Sequence, residues 1–119
     1  MRARRSIQLA ILLLAGCAHG HPEIDQPGIP YACADGKPAR VFYSNGGYFP
    51  QARARLLYDG RELQLSAVPP TYGLRYVSEG GENAPIMIWS VRAEEAWLSE
   101  LDPGQTEERE LAHCTRVRE

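Results

Sequence analysis

The sequence predicts an all-β domain, a sandwich or a small barrel, preceded by a secretory leader and a tether. Three observations carry that expectation. Short β-prone runs recur between turn signals. One of them ends in Asp59-Gly60, residues that tolerate the positive φ of a type I′ hairpin. Two cysteines, Cys33 and Cys114, stand near the two ends of the region, where a bridge closes a small domain.

The first element is the leader. Arg2, Arg4 and Arg5 form a positive head, and Ile7 to Leu14 is apolar except for Gln8. The run is shorter than the roughly 20 residues that span a bilayer core, and it has the build of a secretory signal. It ends in Leu14-Ala15-Gly16-Cys17, which matches the lipobox of bacterial lipoproteins. A cysteine is chemically required there, because its thiol takes a diacylglyceryl group before cleavage and its freed amine can then be acylated. Two or more acyl chains anchor a protein far better than one. Ala18 follows where a retention-type aspartate is absent, which points to the outer membrane and a domain facing the periplasm. The expected division is residues 1–16 as leader, 17–30 as lipidated tether and 31–119 as the folded domain.

Removal of residues 1–16 leaves 103, enough for one domain and too few for two. The three lost arginines take the net charge from −2 to −5. A chain with that balance is not expected to seek nucleic acid, and a basic partner suits it better.

With Cys17 used for lipid, Cys33 and Cys114 remain as an even pair, which reads as a disulfide in an oxidising compartment. A metal site would recruit His113 beside Cys114, but paired CxxC or HxxxH spacing is missing and no metal or cofactor is expected. His19 and His21 lie in the tether, where Pro22, Pro27, Pro30, Gly20 and Gly28 preclude a periodic face.

Within the domain, Arg40 to Tyr43 is the first β-prone run, followed by the turn signal Asn45-Gly46-Gly47. Arg53 to Tyr58 leads into the Asp59-Gly60 turn. Beyond it, Leu63, Leu65 and Ala67 alternate with Gln64 and Ser66, the pattern of a strand with one buried face. Leu74 to Val77 and Ile86 to Val91 are further strands, separated by a Gly80-Gly81 loop. Two segments read differently. Ala93 to Leu101 contains good helix formers, with Ala93, Trp97 and Leu101 at helical spacing, and Thr106 to Ala112 is able to begin a helix.

From Tyr31 onward the residues resemble the MliC family, the membrane-bound or periplasmic inhibitors of C-type lysozyme. The resemblance begins at Tyr31-Ala32-Cys33 and Gly36, runs through Val41, Tyr43, Leu56, Gly60 and Leu63, and reaches Gly73-Leu74-Arg75-Tyr76, which looks like the family's Ser-Gly-x-x-Tyr loop. Trp89 matches the aromatic before the family's second functional loop, Ala96 and Leu98 match the strand after it, and Cys114 closes the pattern. The resemblance implies a small antiparallel β-barrel of about eight strands, closed by one disulfide, and it favours strand over helix for residues 93–98.

The resemblance also implies a mode of action. Lysozyme cleaves glycan with two carboxyl groups, one protonated and one ionised. Family inhibitors insert loops into that cleft, where a serine hydroxyl and a lysine hydrogen-bond the catalytic carboxyls. This chain departs at both positions. Tyr72 stands at the serine position beside Thr71, and the lysine position falls at Val91 with Arg92 one residue on. A one-residue shift on a strand reverses the direction of a side chain. The expected contact region is therefore Thr71, Tyr72, Gly73, Arg75, Tyr76 and Arg92. Gly73 and Tyr76 also have conformational explanations, a turn needing a small residue and a core aromatic with a bonded hydroxyl.

No enzyme signature is present: no Gly-x-Ser-x-Gly elbow, no phosphate-binding glycine loop and no zinc helix. Glu94-Glu95 and Glu107-Glu108 read as solvated faces, since neighbouring side chains on a strand point to opposite sides. Two functions remain: an inhibitor that shields the cell wall from lysozyme, or a non-inhibitory envelope lipoprotein on the same fold that binds another protein or a glycan.

Overall fold

Alternation of apolar and polar residues sets the strand faces, and the turns between them set the topology. The computed structural model describes residues 27–44, 47–70 and 73–118. The leader, Cys17, His19, His21, the Asn45-Gly46 part of the first turn, and Thr71 and Tyr72 lie outside the described residues.

Eight strands follow in chain order: β1 Ile29–Cys33, β2 Pro38–Tyr43, β3 Arg53–Tyr58, β4 Arg61–Val68, β5 Leu74–Val77, β6 Ile86–Arg92, β7 Glu95–Leu101 and β8 Arg109–Arg116. Each pairs antiparallel with the next, and β8 returns to pair with β1, so the sheet is a closed barrel. Closure leaves no sheet edge with unpaired backbone groups. The first strand takes in Ile29 and Pro30, so the folded unit begins two residues before the boundary expected from composition.

The inward set is apolar and continuous around the barrel. Val41 faces Leu56, which faces Leu63; on the other side Tyr76 faces Trp89, which faces Leu98. Val41, Leu56, Tyr76, Trp89 and Leu98 are all fully buried. The Tyr31 ring meets Trp89 edge-on at 5.2 Å, and the Trp89 indole N–H donates to the Tyr43 hydroxyl at 3.1 Å. Large aromatics thus fill an interior whose diameter eight strands fix. The seam between β1 and β8 is spanned by Cys33 and Cys114, register partners joined by a disulfide with Cα atoms 3.8 Å apart.

The Asp59-Gly60 turn has φ of 53° and 77° at its two residues, the conformation expected of a type I′ hairpin. Both segments with helical propensity are strands. Residues 95–101 pair with β6 and β8 on either side, and Ala96 and Leu98, two apart, are fully buried. Ala93, which would have headed the helical stripe, is instead a turn residue with φ of 57°. The helix expected from Thr106 is absent: Arg109 to Arg116 forms the closing strand, with Ala112 and Cys114 inward. A chain closing a barrel gains a ladder bond on both sides of each strand, and that outweighs propensities of a few tenths of a kcal/mol per residue. The register of β8 slips by one residue at Leu111, a bulge opposite Leu98 and Ser99.

Candidate functional site

The connections divide between two ends of the barrel. The β2–β3, β4–β5 and β6–β7 connections lie at the end where β1 enters and β8 leaves, which we call the entry end. The remaining four lie at the far end. Of the expected contact residues, Gly73, Arg75, Tyr76 and Arg92 are described; they fall at or near the entry end, in three environments.

Gly73 and Arg92 are neighbours. A methyl group on Gly73 would lie 2.3 Å from the Val91 carbonyl oxygen and 3.3 Å from the Arg92 Cβ, and the Gly73 φ is +122°. Only glycine fits both the space and the backbone conformation. Val91 packs against the core, while Arg92 emerges with its guanidinium 5.7 Å over the Trp97 ring. The reversal of direction expected from a one-residue shift is therefore present: position 91 faces inward and position 92 outward.

Arg75 sits on the outer face of β5. It donates to the Ser90 hydroxyl at 3.3 Å and pairs with the Glu108 carboxylate at 2.8 Å. The pair is partly exposed, so it contributes at most about 1 kcal/mol. With Ser90, Arg92, Trp97, Ser99 and Glu108, Arg75 lines a groove of about 340 Å³ along the outside of β5 to β7. Trp97 stacks on His113, ring centroids 5.0 Å apart and nearly parallel, and His113 meets Glu95 at 2.7 Å. Arg92, Trp97, His113 and Glu95 thus form one continuous row across the outer face.

Tyr76 is inside. Its ring packs against Tyr43 at 5.1 Å, and its hydroxyl donates to the Gly47 carbonyl of the β2–β3 connection. Burial raises its ionisation to about 12. Burial also pushes the Tyr43 hydroxyl upward, opposed by the Trp89 hydrogen bond. At the far end the Tyr58 hydroxyl bonds Asp35, whose carboxyl is held below its usual range by that bond and by the Lys37 amide.

Sequence reasoning missed Tyr48 and Phe49, exposed by 66% and 46% in the β2–β3 connection. No periodicity marks an aromatic pair in a loop, so only its position after a turn signal was available as a clue. Propensity alone put Trp97 on a helical stripe; the residue is an outward member of a strand, as the resemblance implied for residues 93–98. Among the described residues, no three His, Cys, Asp or Glu side chains gather to hold a metal ion. The chain matches no protein-family model, no curated protein and no solved structure.

Proposed function

We propose that the chain is a lipoprotein anchored through Cys17 to the outer membrane, whose entry-end loops block the active-site cleft of a C-type lysozyme. The observation that carries this reading is the juxtaposition of Gly73 and Arg92. It brings a cationic side chain to the root of the loop containing Thr71 and Tyr72, two connections that are far apart in sequence. The closed eight-stranded barrel and the Cys33–Cys114 bridge support the resemblance that motivates it.

Arg92 takes the role of the family lysine in this reading. A guanidinium offers two parallel donors to a carboxylate, and in a poorly solvated cleft that pair is stronger than a neutral hydrogen bond. Its stacking over Trp97 limits the rotamers it must give up on binding. Thr71 supplies the hydroxyl that Tyr72 cannot place as a serine would.

One observation favours the second reading, a non-inhibitory envelope lipoprotein. Val91 packs against the core, so the lysine position offers no cation and only apolar surface to the outside. The outer groove, with Arg75, Ser90 and Trp97, would then be the place for a glycan or peptide.

Inhibition of a purified C-type lysozyme by the full chain, read from cell-wall turbidity, separates the two. Arg92→Ala should raise the inhibition constant about 10- to 150-fold, the scale of a hydrogen bond between charged groups at roughly 1.5–3 kcal/mol. Tyr72→Ser should strengthen inhibition, whereas Val91→Lys, which directs a charge towards the core, should lower stability instead. If the natural chain does not inhibit, the lysozyme reading is wrong and the second one stands.

A further inference from the structure

We infer that Tyr48 and Phe49 form a further contact element of the entry-end surface, an aromatic wedge that enters the sugar-binding floor of a carboxylate-bearing glycan cleft. This rests on the inhibitor reading above and extends it to residues that the resemblance did not include.

Three observations lead to it. The first is exposure: these two are the most exposed large apolar side chains among the described residues. Adjacent aromatics held in water are an unfavourable arrangement for an unliganded loop, and such pairs are typical anchors of binding surfaces.

The second is that the loop bearing them is fastened on both sides. The Gly47 amide donates to the Ser44 carbonyl at 3.0 Å, and the Ala52 amide donates to the Tyr48 carbonyl at 3.1 Å. The Arg53 amide donates to the Ser44 hydroxyl at 3.1 Å. From below, the Tyr76 hydroxyl holds the Gly47 carbonyl. Tyr76 stands on β5, three residues after Gly73, so one buried side chain ties the aromatic loop to the strand that carries the 71–73 loop. The backbone around the wedge is thus held before docking, and the ordering cost that remains is that of two aromatic side chains.

The third is charge. Connections at the far end carry Asp35, Asp59, Glu79, Glu82, Asp102, Glu107 and Glu108 against one lysine, Lys37. Those at the entry end carry one carboxylate, Glu94, which pairs with Arg118 at 3.6 Å. Arg53, Arg92 and Arg116 stand at the strand ends around it, against one carboxylate there, Glu95, which is engaged by His113. An aromatic tip in a carboxylate-poor, arginine-bordered surface complements a cleft whose catalytic groups are carboxyls and whose floor accepts flat sugar rings. A lipid surface would also accept an aromatic tip, but it would cover Arg92 and Gly73, at the same end, along with it.

The test uses the full chain in detergent and a purified C-type lysozyme. Tyr48→Ser/Phe49→Ser should raise the inhibition constant at least tenfold with an unchanged melting temperature, because both side chains are exposed. If the natural chain inhibits and this variant inhibits equally well, the wedge is refuted while the inhibitor reading survives. If the natural chain does not inhibit, both fall.

A second measurement does not depend on the variant folding. The chain has two phenylalanines, Phe42 and Phe49, so uniform 4-fluorophenylalanine labelling gives two fluorine resonances. Phe42 lies on β2 beneath the Arg55 guanidinium, 4.4 Å from it, and serves as the internal reference. On adding lysozyme, the Phe49 resonance should shift or broaden selectively. An unmoved Phe49 resonance under saturating lysozyme overturns the proposal. So does broadening of the same resonance by phosphatidylglycerol vesicles alone, which would assign the tip to lipid.

Discussion

Replacing Cys33 and Cys114 together by alanine tests how the barrel is held shut. The bridge links residues 81 apart in sequence, and the β1–β8 seam it spans has three register pairs: Tyr31 with Arg116, Ala32 with Thr115, and Cys33 with Cys114. In the chain-entropy model a loop of that length removes roughly 15 cal/mol/K from the unfolded chain, or about 4.5 kcal/mol at 25 °C. Small domains are stable by roughly 5–15 kcal/mol in all, so the bridge accounts for a third or more of the margin. At about 4–8 °C per kcal/mol for a domain of this size, the melting temperature should fall by roughly 20 °C or more. Substituting both cysteines avoids leaving a reactive free thiol at the seam. Urea unfolding of the full chain, followed through the buried Trp89, measures the difference at constant pH. A loss smaller than about 1 kcal/mol would mean that the seam pairs suffice without the covalent link.

Gly73→Ala should lower stability by about 2–4 kcal/mol, since backbone strain at φ +122° adds to a Cβ contact of 2.3 Å with a backbone oxygen. Gly60→Ala is the control: its φ is +77° with nothing within 4 Å, so only about 1 kcal/mol is expected; differential scanning fluorimetry ranks the two. Stability should also fall in alkali. The folded state holds the Tyr76 proton to about pH 12 whereas the unfolded chain releases it near 10.0, so this contribution is full below pH 10 and is lost as pH rises towards 12. The loss is at most about 3 kcal/mol, and urea midpoints at pH 8, 10 and 11 should be less pH-dependent in Tyr76→Phe. That variant should itself cost about 1–3 kcal/mol at pH 8, because the Gly47 carbonyl loses its donor. Cys17→Ser should abolish incorporation of labelled palmitate, and a variant that still carries the label would remove the basis for a lipid anchor.

Much of the barrel was readable because hairpins are local. Arg53–Tyr58 and Leu74–Val77 were located from β-propensity and turn residues alone, and the Asp59-Gly60 turn needs only two residues to specify it. The closing strands were not readable in this way. Ala93 to Leu101 contains residues whose spacing fits a helix, and the inward pair Ala96 and Leu98 becomes evident only beside Trp89 and Ala112. Arg109 to Arg116 pairs with β7 on one side and on the other with β1, about 80 residues earlier, a partner no local window can see. The candidate site divides in the same manner. Gly73 and Tyr76 stood out as a motif, but the Tyr76 bond to Gly47 and the exposed Tyr48-Phe49 pair depend on a loop that local pattern does not describe.

That division changes what the Gly73-Leu74-Arg75-Tyr76 motif is able to report. Gly73 is demanded by the close passage of β6, and Tyr76 by a fully buried position that fastens the neighbouring loop. Any sequence adopting this barrel with these loops would meet both demands whether or not it inhibits an enzyme. The two residues therefore support the fold and leave the activity to their neighbours. In the proposed reading, inhibition rests instead on Thr71, Tyr72, Arg92 and the aromatic pair at 48 and 49. Substitutions at those positions should alter binding while sparing stability, whereas changes at Gly73 or Tyr76 should alter both together. A variant set measured for melting temperature and inhibition separates the groups directly. If Arg92→Ala and the Tyr48/Phe49 variant lower stability as much as Gly73→Ala does, the entry end is a structural closure and not a binding surface.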